Sequence, residues 1–310
     1  MSQCKQLDHI YYLLYNLTML CNICPRGCNI NRETNVGYCG INDKIEISKV
    51  MLHYGEEPFL TKDNKPSGAI FFAGCNLKCV YCQNYEISNS RGKQISIETL
   101  VSLYKQLEDA GASNIDLVTP THFSNLIIES LKIYKPKIPV IFNCGGYESI
   151  ETIKNLLNYI DVFLFDFKYF DDKYAIKYSK APHYFETASK AIALAIKNKP
   201  NIFSDGQMTQ GVVIRHLCIP TLTEDSKHVL EYIANNFGKD TYISLMSQFT
   251  PTINTNSFPE INRKLKPIEY KIVLNYAIKL GLNHVLIQDL SSSGEEMIPD
   301  FKHDNHIFKY

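Results

Sequence analysis

The chain has 310 residues, contains no tryptophan and has no net formal charge, because 32 Lys and Arg residues balance 32 Asp and Glu residues. The missing tryptophan excludes no function. The balanced charge disfavours binding to nucleic acid or to an anionic membrane, since proteins with those partners usually have a basic excess. We therefore expect neither nucleic acid nor a membrane among its partners.

Long hydrophobic runs are also missing. The apolar stretch 10–20 is too short to span a bilayer, which takes about 20 apolar residues. Its flank is only weakly basic and no small-residue cleavage site follows it, which disfavours a signal peptide. We predict that this stretch is a helix packed on the core of a cytoplasmic protein.

A secreted disulfide framework is disfavoured, because such frameworks normally occur in much shorter chains. Seven of the ten cysteines fall in two tight groups, a pattern that indicates metal sites in an enzyme kept in a reducing cytosol. The first group is Cys21, Cys24, Cys28 and Cys39, and the second is Cys75, Cys79 and Cys82. The remaining Cys4, Cys144 and Cys218 are expected to be buried as small apolar side chains.

From residue 67 onward, short β-branched or aromatic runs alternate with helical patterns, which is typical of βαβ units and a parallel sheet. The length suits one α/β domain of barrel size. We predict a cysteine-rich metal-binding extension over 1–66, a partial barrel over 67–290 and a polar tail over 291–310. The predicted strands span 69–73, 114–119, 139–143, 162–167, 212–217, 242–248 and 284–289, and the predicted helices span 97–110, 123–134, 149–157, 185–198, 224–236 and 267–280.

Polar residues follow nearly every predicted strand. Ligands bind at the carboxyl ends of parallel strands, so these residues are candidates for a binding site. They are Thr119, Thr121, His122, Asn143, Gly145, Gly146, Asp166, Lys168, Arg215, His216, Gln248 and Asp289.

Cys75, Cys79 and Cys82 follow the first predicted strand with C-x3-C-x2-C spacing, and Tyr81 precedes the last of them. Three thiolates this close can hold three corners of an iron–sulfur cube, which normally takes four cysteine ligands. The fourth iron would then stay open to a small molecule. A structural zinc is the alternative, but it needs four ligands in a closed tetrahedron, and this loop offers three.

This motif resembles that of the radical S-adenosylmethionine (SAM) superfamily, and the resemblance covers most of the chain. More narrowly, the chain is similar to the pyruvate formate-lyase activating enzyme-like branch, and within it to uncharacterised iron–sulfur proteins. The matching segments are CPRGC, GYCG, EEP, SGAIFFAGCNLKCVYCQN, VTPTHF, NCGGYES, DFKY, GVVIRHLCIP and YISLMSQFTP.

The resemblance implies the fold, the cofactors and the reaction. It implies an α/β fold, a partial (β/α)6 TIM-like barrel of radical SAM type with an N-terminal Cys-rich extension. It also implies a [4Fe–4S] cluster on Cys75, Cys79 and Cys82 that binds SAM at its open iron. Reductive cleavage of SAM would give a 5′-deoxyadenosyl radical that abstracts hydrogen from a substrate. A flavodoxin- or ferredoxin-like protein would supply the electron.

Activases of this branch bind SAM with a D-x-K segment and an Arg on a later strand, which here implies Asp166, Lys168 and Arg215. Lys168 and Arg215 suit a carboxylate, and Asp166 can accept from a ribose hydroxyl or orient Lys168. The alternative for Asp166 and Lys168 is an ion pair at a strand end. Tyr81 is expected to flank the adenine.

One segment departs from the activases, which have Gly-Gly-Glu where this chain has Thr119-Pro120-Thr121-His122. Threonine hydroxyls or a neutral histidine can accept from the SAM ammonium, so we predict contacts from Thr119 and His122. His122 could equally face the substrate or cap the following helix. Asn143 and Gly145 are predicted to form part of the ligand wall, because glycine permits close backbone approach.

The first cysteine group has C-x2-C-x3-C-x10-C spacing, and four cysteines can close a metal site completely. A structural zinc would be tetrahedral and would fix a segment with little core of its own. A second [4Fe–4S] cluster fits the compact first three cysteines and Pro25. Both alternatives stay open at this point.

Three functions are compatible with the sequence. The first is a radical SAM oxidoreductase that activates a glycyl-radical enzyme by taking a backbone Cα hydrogen. The second applies the same chemistry to a peptide or small metabolite. The third is a non-catalytic binding module that contains a metal, and it predicts no cleavage of SAM.

Overall fold

The computed structural model describes residues 20–55, 57–63, 65–89, 92–288, 308 and 310. The predictions made for Cys4, for 10–19, for Asp289 and for nearly all of the polar tail therefore lie outside the described residues. Among the residues that are described, no helix combines the length and the apolar character needed to cross a membrane.

A mainly parallel sheet forms the centre of the molecule. Its strands are joined by helical crossovers, so the predicted α/β fold class is confirmed. Within the described residues, the parallel strands lie in the spatial order β10-β9-β8-β6-β5-β4-β2. Their bounds are β2 Ser67–Phe72, β4 Ile115–Val118, β5 Val140–Cys144, β6 Val162–Asp166, β8 Gln207–Leu217, β9 Tyr242–Met246 and β10 His284–Ile287.

Helices connect the strands, and side chains and glycines determine where several of them begin and end. The Ser96 hydroxyl accepts from Thr99 N–H at the start of the first crossover helix, as expected for an N-cap. Gly111 and Gly281 have φ of +84° and +72° just after two helices, a conformation that glycine adopts without strain. The helices are α1 Tyr85–Ser88, α2 Ile97–Asp109, α3 Ser124–Ile133, α4 Ile150–Leu156, α5 Asp172–Ser179, α6 Tyr184–Asn198, α7 Thr223–Asn236 and α8 Pro267–Leu280.

The central parallel strands, from β2 to β6, are buried on both faces, which explains their continuous apolar sequences. All five residues of β5 are buried, and Phe163 and Phe165 of β6 stack at 5.7 Å between ring centroids. Helices cover one side of this sheet, and their buried residues join the same core as the strands. The sheet therefore holds the carboxyl ends of its strands in fixed relative positions.

Several elements, including α1, were not predicted. No strand was predicted within the extension over 1–66, but β1 (Ile45–His53) is a nine-residue strand that pairs antiparallel with β2 and with β3 (Lys93–Ile95). The short strand β7 (Ile202–Ser204) pairs with β8, and α5 precedes α6. The proposed domain boundary at residue 66 stays a prediction, although β1 and β2 lie in one sheet across it.

Candidate active site

The Cys75 loop leaves β2 through a conformation that requires glycine. Gly74 has φ of +78°, and a Cβ atom there would lie 2.5 Å from Ile41 Cγ1 and 2.7 Å from the Cys39 carbonyl oxygen. Its N–H donates to the Ile87 carbonyl at 2.8 Å. This turn directs the three cysteines that follow toward the carboxyl ends of the strands.

Cys75, Cys79 and Cys82 are half-buried and line one cavity of about 240 Å³. Leu77 N–H lies 3.4 Å from Cys75 Sγ, and Ser179 Oγ donates to Cys79 Sγ at 3.0 Å. Burial raises the pKa of Cys75 to about 12 and that of Cys82 to about 11. The thiols of Cys75 and Cys82 are therefore protonated at neutral pH, and a metal that binds them must displace their protons.

The three thiols fit an iron–sulfur cluster better than a single ion. In the described part of the chain, no three His, Cys, Asp or Glu side chains are arranged to hold a metal ion. A cube does not require that arrangement, because each cysteine binds a different iron atom. The hydrogen bonds from Leu77 and Ser179 to sulfur favour the thiolate form that a cluster needs.

A chain of hydroxyl groups ends at Cys79. The hydroxyls of Tyr81 and Tyr169 lie 2.6 Å apart, and Tyr169 Oη lies 2.8 Å from Ser179 Oγ, which donates to Cys79 Sγ. The Tyr81 ring lines the cavity and lies 5.6 Å from the ring of Phe249. The sequence did not indicate Tyr169 and Ser179, because α5, which supplies Ser179, was not predicted.

Asp166, Lys168 and Arg215 form a charged group on one wall of the cavity. Lys168 Nζ lies 2.6 Å from Asp166 Oδ2, and Arg215 Nε lies 3.2 Å from Asp166 Oδ1. Arg215 also donates to the Asn143 side chain. Burial alone would raise the pKa of Asp166, but the charges of Lys168 and Arg215 hold it below its usual range. The carboxylate is therefore ionised at neutral pH.

The segment that replaces Gly-Gly-Glu divides between two locations. Thr119 has φ of +59° and lines the cavity. His122 is buried and does not line it: its Nε2 lies 2.7 Å from the Ala73 carbonyl oxygen. Burial lowers the pKa of His122 to about 3, so the ring is neutral and Nε2 donates to Ala73. His122 thus contacts the residue before Gly74 instead of the cavity.

Asn143, Gly145 and Cys144 line the cavity at the end of β5. A Cβ atom on Gly145 would lie 2.7 Å from Leu77 Cδ1, so glycine is needed for the close approach of the Cys75 loop. Cys144 and Cys218 are buried, as expected for small apolar side chains. Gln248 lines the cavity at the end of the β9 segment.

One buried carboxyl group near the site was not predicted. Glu148 is fully buried, and its Oε1 accepts from Thr121 Oγ1 at 2.9 Å while Oε2 has no hydrogen-bond partner among the residues that the structure describes. Burial raises its pKa to about 7. Nothing in the residues around Glu148 in the sequence indicated that this carboxyl group would be buried.

The first cysteine group lies beside the Cys75 loop. Cys21, Cys24 and Cys28 are half-buried and Cys39 is buried. Burial, followed by the nearby thiols, raises the pKa of Cys24 to about 12. Tyr38 N–H lies 3.3 Å from Cys28 Sγ. By chemistry, four thiols can bind either zinc or a cluster, but within the described residues no three of them are arranged to hold a single metal ion.

Comparison with known proteins gives the family. A family model described as the radical SAM superfamily matches residues 69–233. A protein of Methanocaldococcus jannaschii called uncharacterized protein MJ0674 is 30% identical over 288 residues, which are 89% of this chain and 80% of that protein. A pyruvate formate-lyase-activating enzyme of Clostridium pasteurianum is 28% identical over 216 residues, which are 64% of this chain and 82% of that enzyme.

Solved structures with a similar fold have low sequence identity. Streptococcus suis SuiB bound to S-adenosylmethionine aligns with a TM-score of 0.47 and 14% identity, over 72% of this chain and 50% of that chain. A domain of a pyruvate-formate lyase-activating enzyme from Bacteroides vulgatus aligns with a TM-score of 0.36 and 14% identity, over 62% of this chain and 91% of that domain. The aligned part spans about half the length of SuiB.

Proposed function

The chain belongs to the radical SAM superfamily, and we propose that it activates a glycyl-radical enzyme by removing hydrogen from a backbone Cα. The main support is the similarity to a pyruvate formate-lyase-activating enzyme, which extends over 216 residues. When bound, the cluster and SAM supply a 5′-deoxyadenosyl radical that can abstract such a hydrogen.

In this proposal Cys75, Cys79 and Cys82 hold the [4Fe–4S] cluster. All three line the same cavity, and a backbone N–H and a serine hydroxyl already contact two of the sulfurs. Tyr81 contributes its ring to the cavity wall, where an adenine could stack. Its hydroxyl forms a hydrogen bond with the hydroxyl of Tyr169, which holds the ring in place.

Lys168 and Arg215 bind the carboxylate of SAM, and Asp166 orients both. A lysine ammonium has three donors, and Asp166 uses one of those on Lys168. Arginine offers a planar fork, which matches a carboxylate. Thr119 supplies a hydroxyl acceptor for the SAM ammonium, and Asn143 holds Arg215 from the other side.

The second candidate is the same chemistry on a free peptide or a small metabolite. Thr119 belongs to the segment Thr119-Pro120-Thr121-His122, which stands where the activases have Gly-Gly-Glu. Beside Arg215, an uncharged wall of the cavity presents Leu217, Met246 and Gln248. That uncharged wall would accept a neutral segment of a peptide as readily as a protein loop.

Reductive cleavage of SAM tests both candidates. Anaerobically reconstituted protein, incubated with SAM and a strong reductant, should release 5′-deoxyadenosine. Cys79→Ala should abolish the product, whereas Cys218→Ser should retain it, because Cys218 is buried outside the cavity. A protein with an intact cluster that releases none would refute the enzyme proposal.

The substrate is tested separately, with a candidate glycyl-radical enzyme added to the same reaction. A glycyl signal in electron paramagnetic resonance (EPR) spectra of the partner supports activation. Product formation without that signal favours the peptide or metabolite candidate.

Metal analysis tests the four-cysteine site. About eight irons per chain without zinc would support a second [4Fe–4S] cluster at Cys21, Cys24, Cys28 and Cys39, and about four irons with one zinc would support a structural zinc.

A further inference from the structure

The segment 20–44, here called the N-terminal loop, has little regular structure of its own. Among its residues the structure shows one isolated bridge, between Leu20 and Asn31, and no helix or strand. It contains all four cysteines of the first group. A bound metal would add order to a segment of this kind, because it links residues that are distant in sequence.

The backbone of the N-terminal loop contacts the Cys75 loop directly. Cys75 N–H donates to the Cys39 carbonyl, with 3.2 Å between nitrogen and oxygen. The same carbonyl oxygen would lie 2.7 Å from a Cβ atom on Gly74. A cysteine of each group therefore takes part in one hydrogen bond between the two loops.

Arg26 forms a second connection. Its Nε donates to the Asn76 carbonyl at 2.7 Å, and Asn76 Nδ2 donates to the Tyr147 carbonyl at 2.6 Å. The guanidinium lies 3.9 Å from the ring centroid of Tyr38 and 5.0 Å from that of Tyr147. These contacts fix Arg26 between two aromatic rings and aim it at the residue after Cys75.

Arg32 forms a third connection, on the other side of Gly74. This buried side chain donates to the His122 carbonyl at 2.6 Å and to the Asn42 carbonyl. His122 Nε2 in turn lies 2.7 Å from the Ala73 carbonyl oxygen. The N-terminal loop thus forms hydrogen bonds with Cys75 and Asn76 directly and with Ala73 through His122.

We propose that the two cysteine groups bind their metals cooperatively, with Arg26, Arg32 and His122 as positioning residues. Each metal orders one of two touching loops, so the second metal binds to a loop that is already restrained and loses less conformational entropy. Such coupling is reciprocal, and typical values change affinity about 5- to 150-fold. The inference rests on the proposed binding of metal by both groups.

The test compares the release of metal from single-site variants. Cys24→Ser removes one ligand of the N-terminal loop and leaves Cys75, Cys79 and Cys82 intact. We expect the iron that remains on the Cys75 loop to be lost to an iron chelator at least about 5-fold faster than from wild type. Cys218→Ser, the matched control, should release iron at the wild-type rate.

Reciprocity provides a second measurement. In equilibrium competition with a chelator, Cys79→Ala should weaken the binding of metal by the N-terminal loop by the same factor by which Cys24→Ser weakens the binding of iron by the Cys75 loop; the release of metal from the N-terminal loop should also be faster. Equal release rates in wild type, Cys24→Ser and Cys79→Ala would overturn the proposal, and so would a wild-type N-terminal loop that binds no metal.

Arg32→Met leaves all seven cysteines in place, so a change in metal release in this variant cannot come from the loss of a metal ligand. It should speed iron release and change the EPR spectrum of the reduced cluster, while the matched control Arg263→Met, at a distant ion pair with Glu269, should do neither. Unchanged release and spectrum in Arg32→Met would exclude its positioning role. If SAM is not cleaved but the two cysteine groups still bind their metals cooperatively, only the proposed function is refuted.

Discussion

Glu148 provides a test of the electrostatics beneath the cavity. Burial raises the pKa of this carboxyl from 4.5 to about 7 in the folded protein. Between these values the native state binds more protons than the unfolded chain, so the free energy of unfolding falls as pH rises through that window. From about pH 8 upward the group is ionised in both states and has no further effect.

The expected size follows from the shift. Integrated from pH 5 to pH 8, the two pKa values of Glu148 correspond to a loss of about 2–3 kcal/mol of stability. Glu148→Gln cannot ionise and can still accept from Thr121. The stability of the variant relative to wild type should therefore increase by about that amount between the two pH values. Glu151→Gln, an exposed carboxyl three residues away, should show no such increase.

Urea unfolding at both pH values gives the stabilities, and infrared difference spectroscopy gives the titration directly. The carbonyl stretch of a protonated buried carboxyl should disappear with a midpoint near pH 7 and be absent from Glu148→Gln. Thr121→Val removes the hydrogen bond that lowers the pKa of Glu148, so the midpoint should move upward. A midpoint near that of an exposed carboxyl, or parallel stabilities of wild type and Glu148→Gln, would refute the reasoning.

Three further predictions concern the cavity and its support. Arg215→Lys removes the guanidinium that donates to both Asp166 and Asn143. Because a charge-assisted hydrogen bond contributes about 1.5–3 kcal/mol, the Kd for SAM, measured by calorimetry, should rise roughly 10- to 100-fold. Gly146→Ala should lower the thermal midpoint and abolish SAM binding, because its Cβ would lie 2.1 Å from the Asp166 carbonyl oxygen; Gly206→Ala, with a similar φ and open space, is the control. Burial lowers the pKa of His216 from 6.5 to about 4, so protonation favours the unfolded chain as pH falls. His216→Gln should therefore lose about 2 kcal/mol less stability than wild type between pH 7 and pH 5; equal losses in urea unfolding would contradict this.

The parallel core could be predicted because its strands are short, apolar and separated by amphipathic helices. The predicted helix 267–280 agrees with α8, and Ser96, Gly111 and Gly281 lie at the expected helix ends. β1 was missed because its residues IEISKVMLH contain polar side chains on both faces. Its pairing with β2 is a long-range contact, which local sequence patterns do not indicate.

The site was predictable to the extent that strand ends meet at one edge of the sheet. Asn143, Asp166 and Arg215 come together on neighbouring strands for that reason. His122 follows the same rule in sequence, but a 3-10 turn after Thr119 places it inside the protein. Contacts such as the Ser179 hydroxyl to Cys79 depend on packing between distant segments, and no spacing rule gives them.

The distribution of charge in the cavity suits radical chemistry, which needs charged side chains to position the cofactor and none to react with the substrate. Among the described residues that line it, the charged side chains are Asp166, Lys168 and Arg215, and they occupy one wall. A zwitterionic cofactor needs fixed charges to position it, whereas abstraction of a hydrogen atom moves no net charge and needs no acid or base. The uncharged wall, with Met246 and Gln248, can therefore select a substrate by shape and amide contacts alone. Substitutions there should change which substrate reacts and leave the cleavage of SAM intact.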